Sequence, residues 1–278
     1  MSGESKAVRT GLVLIAGIFI LCARPAAAGI DEFTRLYGAF QAKYWRGGAT
    51  IHGVTTTVFD YAAMAGDARE EHSLYAGINQ ALSTVNPGRL TDETAKAFWL
   101  NAYNFGAMKL VIENYPVTSI RDFKISWLRY PWSKEAVQIG GRGYSLEQIE
   151  KEILLKQFHD PRIVFGISCA AVSCPDRTPE PFRAGKADGQ LDALIRHFFA
   201  NRTKGLMIDT EHSRVWLSWI LKKDRGLFGA TDAKLKEFVC GYVKPSVCAQ
   251  IKPDSMKIAY FKHDWTLNDS ALARTNDN

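Results

Sequence analysis

The sequence predicts an α+β fold, a single domain in which a central apolar helix packs on a mostly antiparallel sheet. Three observations predict it. The run from Phe98 to Ile112 is apolar nearly all round, as a helix covered on every side must be. Short β-branched runs fall in pairs about turn signals: Ala136 to Ile139 with Arg142 to Tyr144 around Gly140-Gly141, and Leu206 to Asp209 with Arg214 to Ser218. Beyond the first 28 residues there is no internal repeat and no linker rich enough to divide the chain.

The N-terminus reads as a secretory leader. Lys6 and Arg9 form a basic start. Gly11 to Cys22 is apolar but shorter than the roughly 18 residues of a spanning helix, and Ala26-Ala27-Ala28 offers small residues for cleavage. Residues 1–28 are therefore expected to be a signal peptide and 29–278 the mature domain, with an uncleaved anchor as the alternative. Lipidation at Cys22 is disfavoured by the bulk of Leu21 before it. No later stretch is apolar for long enough to span a membrane, so a periplasmic or secreted location is expected. The formal charge of +6 is spread without a dense Lys/Arg run, which argues against nucleic acid as a partner.

The mature chain alternates helix and strand signals. Phe33, Leu36, Tyr37, Phe40 and Tyr44 recur at helical spacing, and Trp45-Arg46-Gly47-Gly48 closes that helix. Val54 to Phe59 is strand-like. A second helix covers Glu70 to Thr84 and stops at Asn86-Pro87-Gly88. Thr91 or Asp92 caps the central helix, which runs to about Asn114. On it Asn101 and Asn104 share a face. A buried amide must find partners or cost about 1–3 kcal/mol, so these two either tie the helix to loop backbone or belong to a site. Gly106 lets a neighbour approach the helix closely.

Tyr115-Pro116 stops that helix. The aromatic loop Trp127 to Trp132 is expected to pack over the core, a binding lip being the alternative. Ser145-x-x-Gln148 is a capping box opening a helix with Leu146, Ile149, Ile153, Leu154 and Phe158 inward. Ile163 to Ile167 reads as a buried strand ending at Ser168-Cys169. Gln190 to Ala200 and Asp232 to Tyr242 are helices, Pro245 marks a loop to Cys248, and Lys257 to Phe261 is a strand leading to His263-Asp264-Trp265.

A strand ending at a cysteine before a tight loop is a way to present a nucleophile. Cys22 aside, the cysteines are Cys169, Cys174, Cys240 and Cys248. Export permits disulfides, and the local pairing, Cys169–Cys174 with Cys240–Cys248, is the simplest. With no C-x-x-C and no histidine pair at ligand spacing, neither a metal nor another cofactor is expected. Among the six histidines, His72, His159 and His212 have charged neighbours, His52 precedes a loop glycine and His197 lies at the edge of a helix stripe. His263 is the best base for Cys169. Asp264 beside it cannot face the same way unless the strand has ended.

Several segments in order resemble the DUF-547 family, a domain of unknown function. They are Asp60-Tyr61, Phe98 to Asn104, Tyr115-Pro116-Val117 with Ile120, Pro131-Trp132, Ser145-Leu146 with Ile149-Glu150, and Asp160 to Ile163. Cys169-Ala170-Ala171 with Ser173-Cys174-Pro175, Gln190-Leu191, Asp264-Trp265 and Leu267-Asn268 complete the set. With the leader, the resemblance implies a bacterial exported member, and by analogy a papain-like or transglutaminase-like arrangement. The chain departs from the pattern in three places. Val164 stands where the family usually has a histidine, Thr178 where it tends to have an arginine (Arg177 is one position early), and His263 where it usually has a tyrosine.

Two functions follow as expectations. One is a thiol hydrolase or acyltransferase of the cell envelope, with Cys169 as nucleophile, His263 as base, and Asn101 or Asn104 orienting the base or donating to an oxyanion. Trp99, Tyr103, Ser173, Arg177, Trp132 and Trp265 would contact the substrate. The other is a non-catalytic periplasmic binding module with stapled cysteines, holding a small molecule, peptide or envelope component.

Overall fold

The computed structural model describes residues 26–273. The leader and Cys22 lie outside the described residues, except that the backbone of Ala26 to Ala28 opens the first helix. That helix, α1 (Ala26–Tyr44), buries Phe33, Tyr37, Phe40 and Tyr44 along one stripe. It is followed directly by strand β1 (Trp45–Ile51), where the sequence suggests only a helix stop. β1 pairs antiparallel with β2 (Val54–Phe59) through a two-residue turn at His52 and Gly53, both with positive φ. The short helix α2 (Tyr61–Asp67) and α3 (Leu74–Thr84) lead to the central helix α4 (Asp92–Ile112). α3 begins later than the sequence suggests because Ser73 accepts from Ala76 N–H and caps it there.

Helix α4 is buried on every face from Ala97 to Met108, as its all-round apolar pattern requires. Against it packs the hairpin β3 (Glu135–Ile139) and β4 (Arg142–Ser145), whose turn glycines Gly140 and Gly141 have φ of 58° and 81°. Gly106 is the contact point. A Cβ there would lie 3.2 Å from Ala136, Val137 and Leu146. The capping box forms as read: Ser145 N–H donates to Gln148 Oε1 at 2.9 Å and Gln148 N–H to Ser145 Oγ at 3.2 Å. It opens a π-helical segment, Gln148–Leu155, continued by α5 (Lys156–Phe158).

The expected strand at Ile163 to Ile167 is a helical turn, α6 (Ile163–Gly166). Its apolar residues face two cores at once. Ile163 and Ile167 pack with α1, α3 and α4, whereas Val164 and Phe165 pack with Phe198, Leu217, Leu221 and Val239. A run buried on both sides reads like a strand, and periodicity cannot separate the two at this length. An irregular stretch follows to Lys186, then α7 (Ala187–Ala200).

Hairpin β5 (Leu206–Asp209) and β6 (Arg214–Leu217) forms as expected, and β7 (Lys257–Tyr260) adds to β6 in parallel. Between them run α8 (Trp219–Lys223), α9 (Asp232–Cys240) and α10 (Pro245–Ile251), and α11 (Ser270–Ala273) ends the described chain. The Pro245 loop is thus a helix with proline in its first turn. The α+β class holds, but the strands form three small sheets rather than one. The aromatic loop also differs: Trp127 and Leu128 stand 85% and 82% exposed, and only Pro131 and Trp132 turn inward. No helix among the described residues is long and apolar enough to cross a membrane.

Gly106→Val should place two methyl groups where three side chains already sit at contact distance. The expected loss is about 1–3 kcal/mol, read as a lower urea midpoint with an unchanged slope.

Candidate functional site

Two buried amides of α4 fix the chain on either side of the Cys169 loop. Asn104 Nδ2 donates to Gly166 C=O and its Oδ1 accepts from Ser168 N–H, both at 2.8 Å. Asn101 does the same one turn earlier, with Phe182 C=O at 2.8 Å and Phe182 N–H at 2.9 Å. A third anchor is a buried ion pair. Asp176 accepts from Lys204 Nζ at 2.8 Å, and Lys204 also donates to Thr56 Oγ1 and Val172 C=O. Irregular backbone can be buried here because its polar groups are matched one by one.

The C-terminal segment closes over this loop. Ala170, with φ of 59°, has its carbonyl held by Asn268 N–H at 3.0 Å. Val172 N–H donates to Thr266 C=O, and Asp264 N–H donates to Ser173 Oγ at 2.9 Å. Strand β7 has ended at Tyr260, so the alternation that would set His263 against Asp264 no longer applies. Asp264 turns to Thr266 and to His52, and His263 turns inward.

Inside, one ring nitrogen of His263 and the sulfurs of Cys169 and Cys174 all lie within 4.8 Å of one another. Cys169 and Cys174 form a disulfide, as do Cys240 and Cys248, which is the local pairing read from the sequence. His263 is 9% exposed, and neither ring nitrogen has a hydrogen-bond partner among the described residues. It sits between Trp265, with ring centroids 4.1 Å apart, and Trp219, at 5.0 Å. Burial drives its pKa down to about 4. Asp264 opposes the fall, and Lys223, Lys204 and Arg121 add to it. The imidazole is therefore neutral at pH 7.

These groups line a cavity of about 60 Å³ together with Tyr103, Trp132, Glu150, Val164 and Lys223. Lys223 donates to Glu150 at 3.1 Å and to Asp224 at 3.2 Å. Burial pulls the Lys223 ammonium down, but the two carboxylates outweigh it and leave its pKa raised. Burial likewise pushes the Tyr103 hydroxyl well above its ordinary range. Val164, where the family resemblance expects a histidine, and His263, where it expects a tyrosine, face the same cavity.

Of the residues expected at the site, Cys169, His263, Tyr103, Trp132 and Trp265 meet at this cavity. The amides of Asn101 and Asn104 each exchange a pair of hydrogen bonds with backbone and hold the loop, and neither lines the cavity. Ser173 holds the segment that carries His263. Trp99 packs in the core on Phe98 and Tyr144. Arg177 is buried against Tyr37 and Gln41, away from the sulfurs. Glu150, Trp219 and Lys223 were missed. Glu150 lies one turn beyond Leu146 on the inward face, which was legible; Trp219 and Lys223 belong to α8, a helix too short to show a period.

Comparison with known proteins finds residues 87–199 matching a family described as protein of unknown function, DUF547. This supports the resemblance read from the sequence. The matched stretch takes in α4, both asparagines, Cys169 and Cys174, and ends before α8 and His263. No curated protein and no solved structure matches.

Two outcomes are expected of this arrangement. Asn104→Ala leaves a buried N–H and a buried C=O unpaired and should cost about 2–4 kcal/mol, measured by chemical unfolding. His263 binds its proton less readily folded than unfolded, so acid favours the unfolded chain. As pH falls from about 7 to about 4, the wild type should lose roughly 3 kcal/mol more than His263→Tyr, measured as urea stability of both proteins across that range.

Proposed function

We propose that this chain is a cysteine-dependent hydrolase or acyltransferase of the cell envelope, exported by its leader, whose resting state is the Cys169–Cys174 disulfide. The observation that carries the reading is the His263 ring, which has no hydrogen-bond partner among the described residues and sets one nitrogen within 4.8 Å of the Cys169 sulfur. A dithiol reductant would supply two electrons and two protons to open the disulfide. The Cys169 thiol would then attack an acyl carbon while His263 accepts its proton. The acyl group would pass to sulfur as a thioester, and the leaving group would depart with the proton from His263. Water or an acceptor amine would release the acyl group in the second half.

The low basicity of His263 shapes this chemistry. With an imidazole near pKa 4, His263 would work as a general base during attack rather than as the protonated half of a preformed ion pair. Substrate would approach over Trp132 and Trp265, whose indoles line the cavity, which suits an apolar or aromatic portion. Disulfides fit an oxidising compartment, which supports export. The positive charge, spread along the sequence without a dense run, argues against nucleic acid as the partner.

A second reading is favoured by the disulfide itself: a non-catalytic binding module whose cysteines only staple the loop. The two separate on a p-nitrophenyl ester. The reduced chain should give a burst of one p-nitrophenol per protein. Oxidised protein and Cys169→Ser should give none, and His263→Asn should slow the burst about a hundredfold. The acid limb of the burst rate should lie near 4 rather than at an ordinary histidine value. No burst from reduced protein, or one indifferent to His263→Asn, retires catalysis and leaves the binding module.

A further inference from the structure

We propose that the reduced form of this site binds a soft divalent cation, Zn²⁺ or Cd²⁺, through the sulfurs of Cys169 and Cys174 and a ring nitrogen of His263. The spacing rule that excluded a metal looks for ligands close in sequence. Here the third ligand arrives from the C-terminal segment, carried in by the bond from Asp264 N–H to Ser173 Oγ.

The geometry already approaches a metal site. Zinc binds thiolate at about 2.3 Å and imidazole at about 2.0 Å, so a tetrahedral set spaces its donors by roughly 3.4–3.8 Å. The three donor atoms lie within 4.8 Å of one another, so shifts of about an ångström, with the sulfurs parting on reduction, would bring them to that spacing. His263 is an independent sign. It is 9% exposed, both ring nitrogens lack a partner among the described residues, and it adjoins both sulfurs. A buried, unsatisfied imidazole has a desolvation cost that a metal bond would recover.

Charge and chemistry agree. A ligand histidine offers an unprotonated ring nitrogen, and both ring nitrogens of His263 lack a hydrogen-bond partner among the described residues. Two thiolates and one divalent cation sum to zero, which suits a low-dielectric pocket. Sulfur donors favour Zn²⁺ and Cd²⁺ over Mg²⁺ or Ca²⁺. The Lys223 ammonium in the cavity wall is offset by Glu150 and Asp224. Three protein ligands leave the fourth position to the cavity, whose volume of about 60 Å³ has room for about two waters.

The steps balance. A dithiol gives two electrons and two protons to the Cys169–Cys174 bond and becomes a disulfide itself. Zn²⁺ then displaces the two thiol protons into solvent. A small-molecule disulfide can reverse this: it takes two electrons from the paired thiolates and two protons from solvent, leaves as two thiols, and the Cys169–Cys174 bond re-forms with release of Zn²⁺. The site thus has three states, and the metal state ties up the Cys169 sulfur. The binding does not require that Cys169 be a catalyst.

The probe is Cd²⁺ added to Cys240→Ala/Cys248→Ala protein under a phosphine reductant, followed by thiolate-to-metal absorption in the ultraviolet. One Cd²⁺ per chain is expected, none in the oxidised protein, and at least tenfold weaker binding in His263→Phe. Excess Zn²⁺ should displace Cd²⁺ without regenerating free thiols. If removing the second disulfide prevents folding, the same titration of intact reduced protein, wild type against Cys169→Ser/Cys174→Ser, reads the loss of one site. No absorption at this site, or equal affinity in His263→Phe, overturns the proposal. An ester burst with no Cd²⁺ binding defeats only the metal site; Cd²⁺ binding with no burst defeats only the acyl-transfer reading.

Discussion

The Cys169 loop depends on the reciprocal hydrogen bonds between Asn104 and the backbone of Gly166 and Ser168. Helix α4 lies in the middle of the core, where an unpaired amide would be costly. Its side chain is satisfied only if an irregular segment runs past at the correct distance. That segment carries Cys169 in the next position. The constraint therefore works in both directions: the core helix needs the loop to satisfy it, and the loop needs the helix to be held. Asn101 repeats the device at Phe182, so the two ends of the loop are pinned to neighbouring turns of one rigid element.

With the ends pinned, the middle of the loop is fixed by charge. Asp176 and Lys204 are buried together, each under 10% exposed, and Lys204 spends its remaining donors on Thr56 and Val172. Burial lowers the lysine pKa while Asp176 opposes the fall. Such a pair adds little net stability over an apolar filling, but losing one partner would leave a buried charge alone. It sets position more than strength, joining β2, the cysteine loop and the turn after α7. The C-terminal segment then lays His263 across a loop that can no longer shift.

Legibility in the sequence followed the range of the signal. Local signals were read correctly: the stripe of α1, the caps and all-round burial of α4, the capping box at Ser145 and both glycine or polar hairpin turns. The failures came where two cores or distant segments met. Ile163 to Gly166 looked like a strand because it is buried on opposite sides by two clusters. β7 joining β6 in parallel could not be read from either strand alone. At the site, Cys169 and His263 stand out in the sequence because few residues could serve, though which way His263 faces does not, and Asn101 and Asn104 carry the same letters whether they bind substrate or backbone. Only their partners decide, and those lie at Gly166, Ser168 and Phe182.

The state of His263 links the disulfide to the chemistry. An imidazole in this cavity is surrounded by indoles and lies near Lys223, so protonation is opposed by desolvation and by positive charge alike. A cysteine beside such a ring gains no thiolate from a standing ion pair. In either proposal the neutral ring would act through its unprotonated nitrogen, as a modest base or as a ligand. Under the two proposals, disulfide, thiol and metal thiolate would be three ways of meeting one demand, that no net charge be left on sulfur in a pocket lined by Trp132, Trp219 and Trp265.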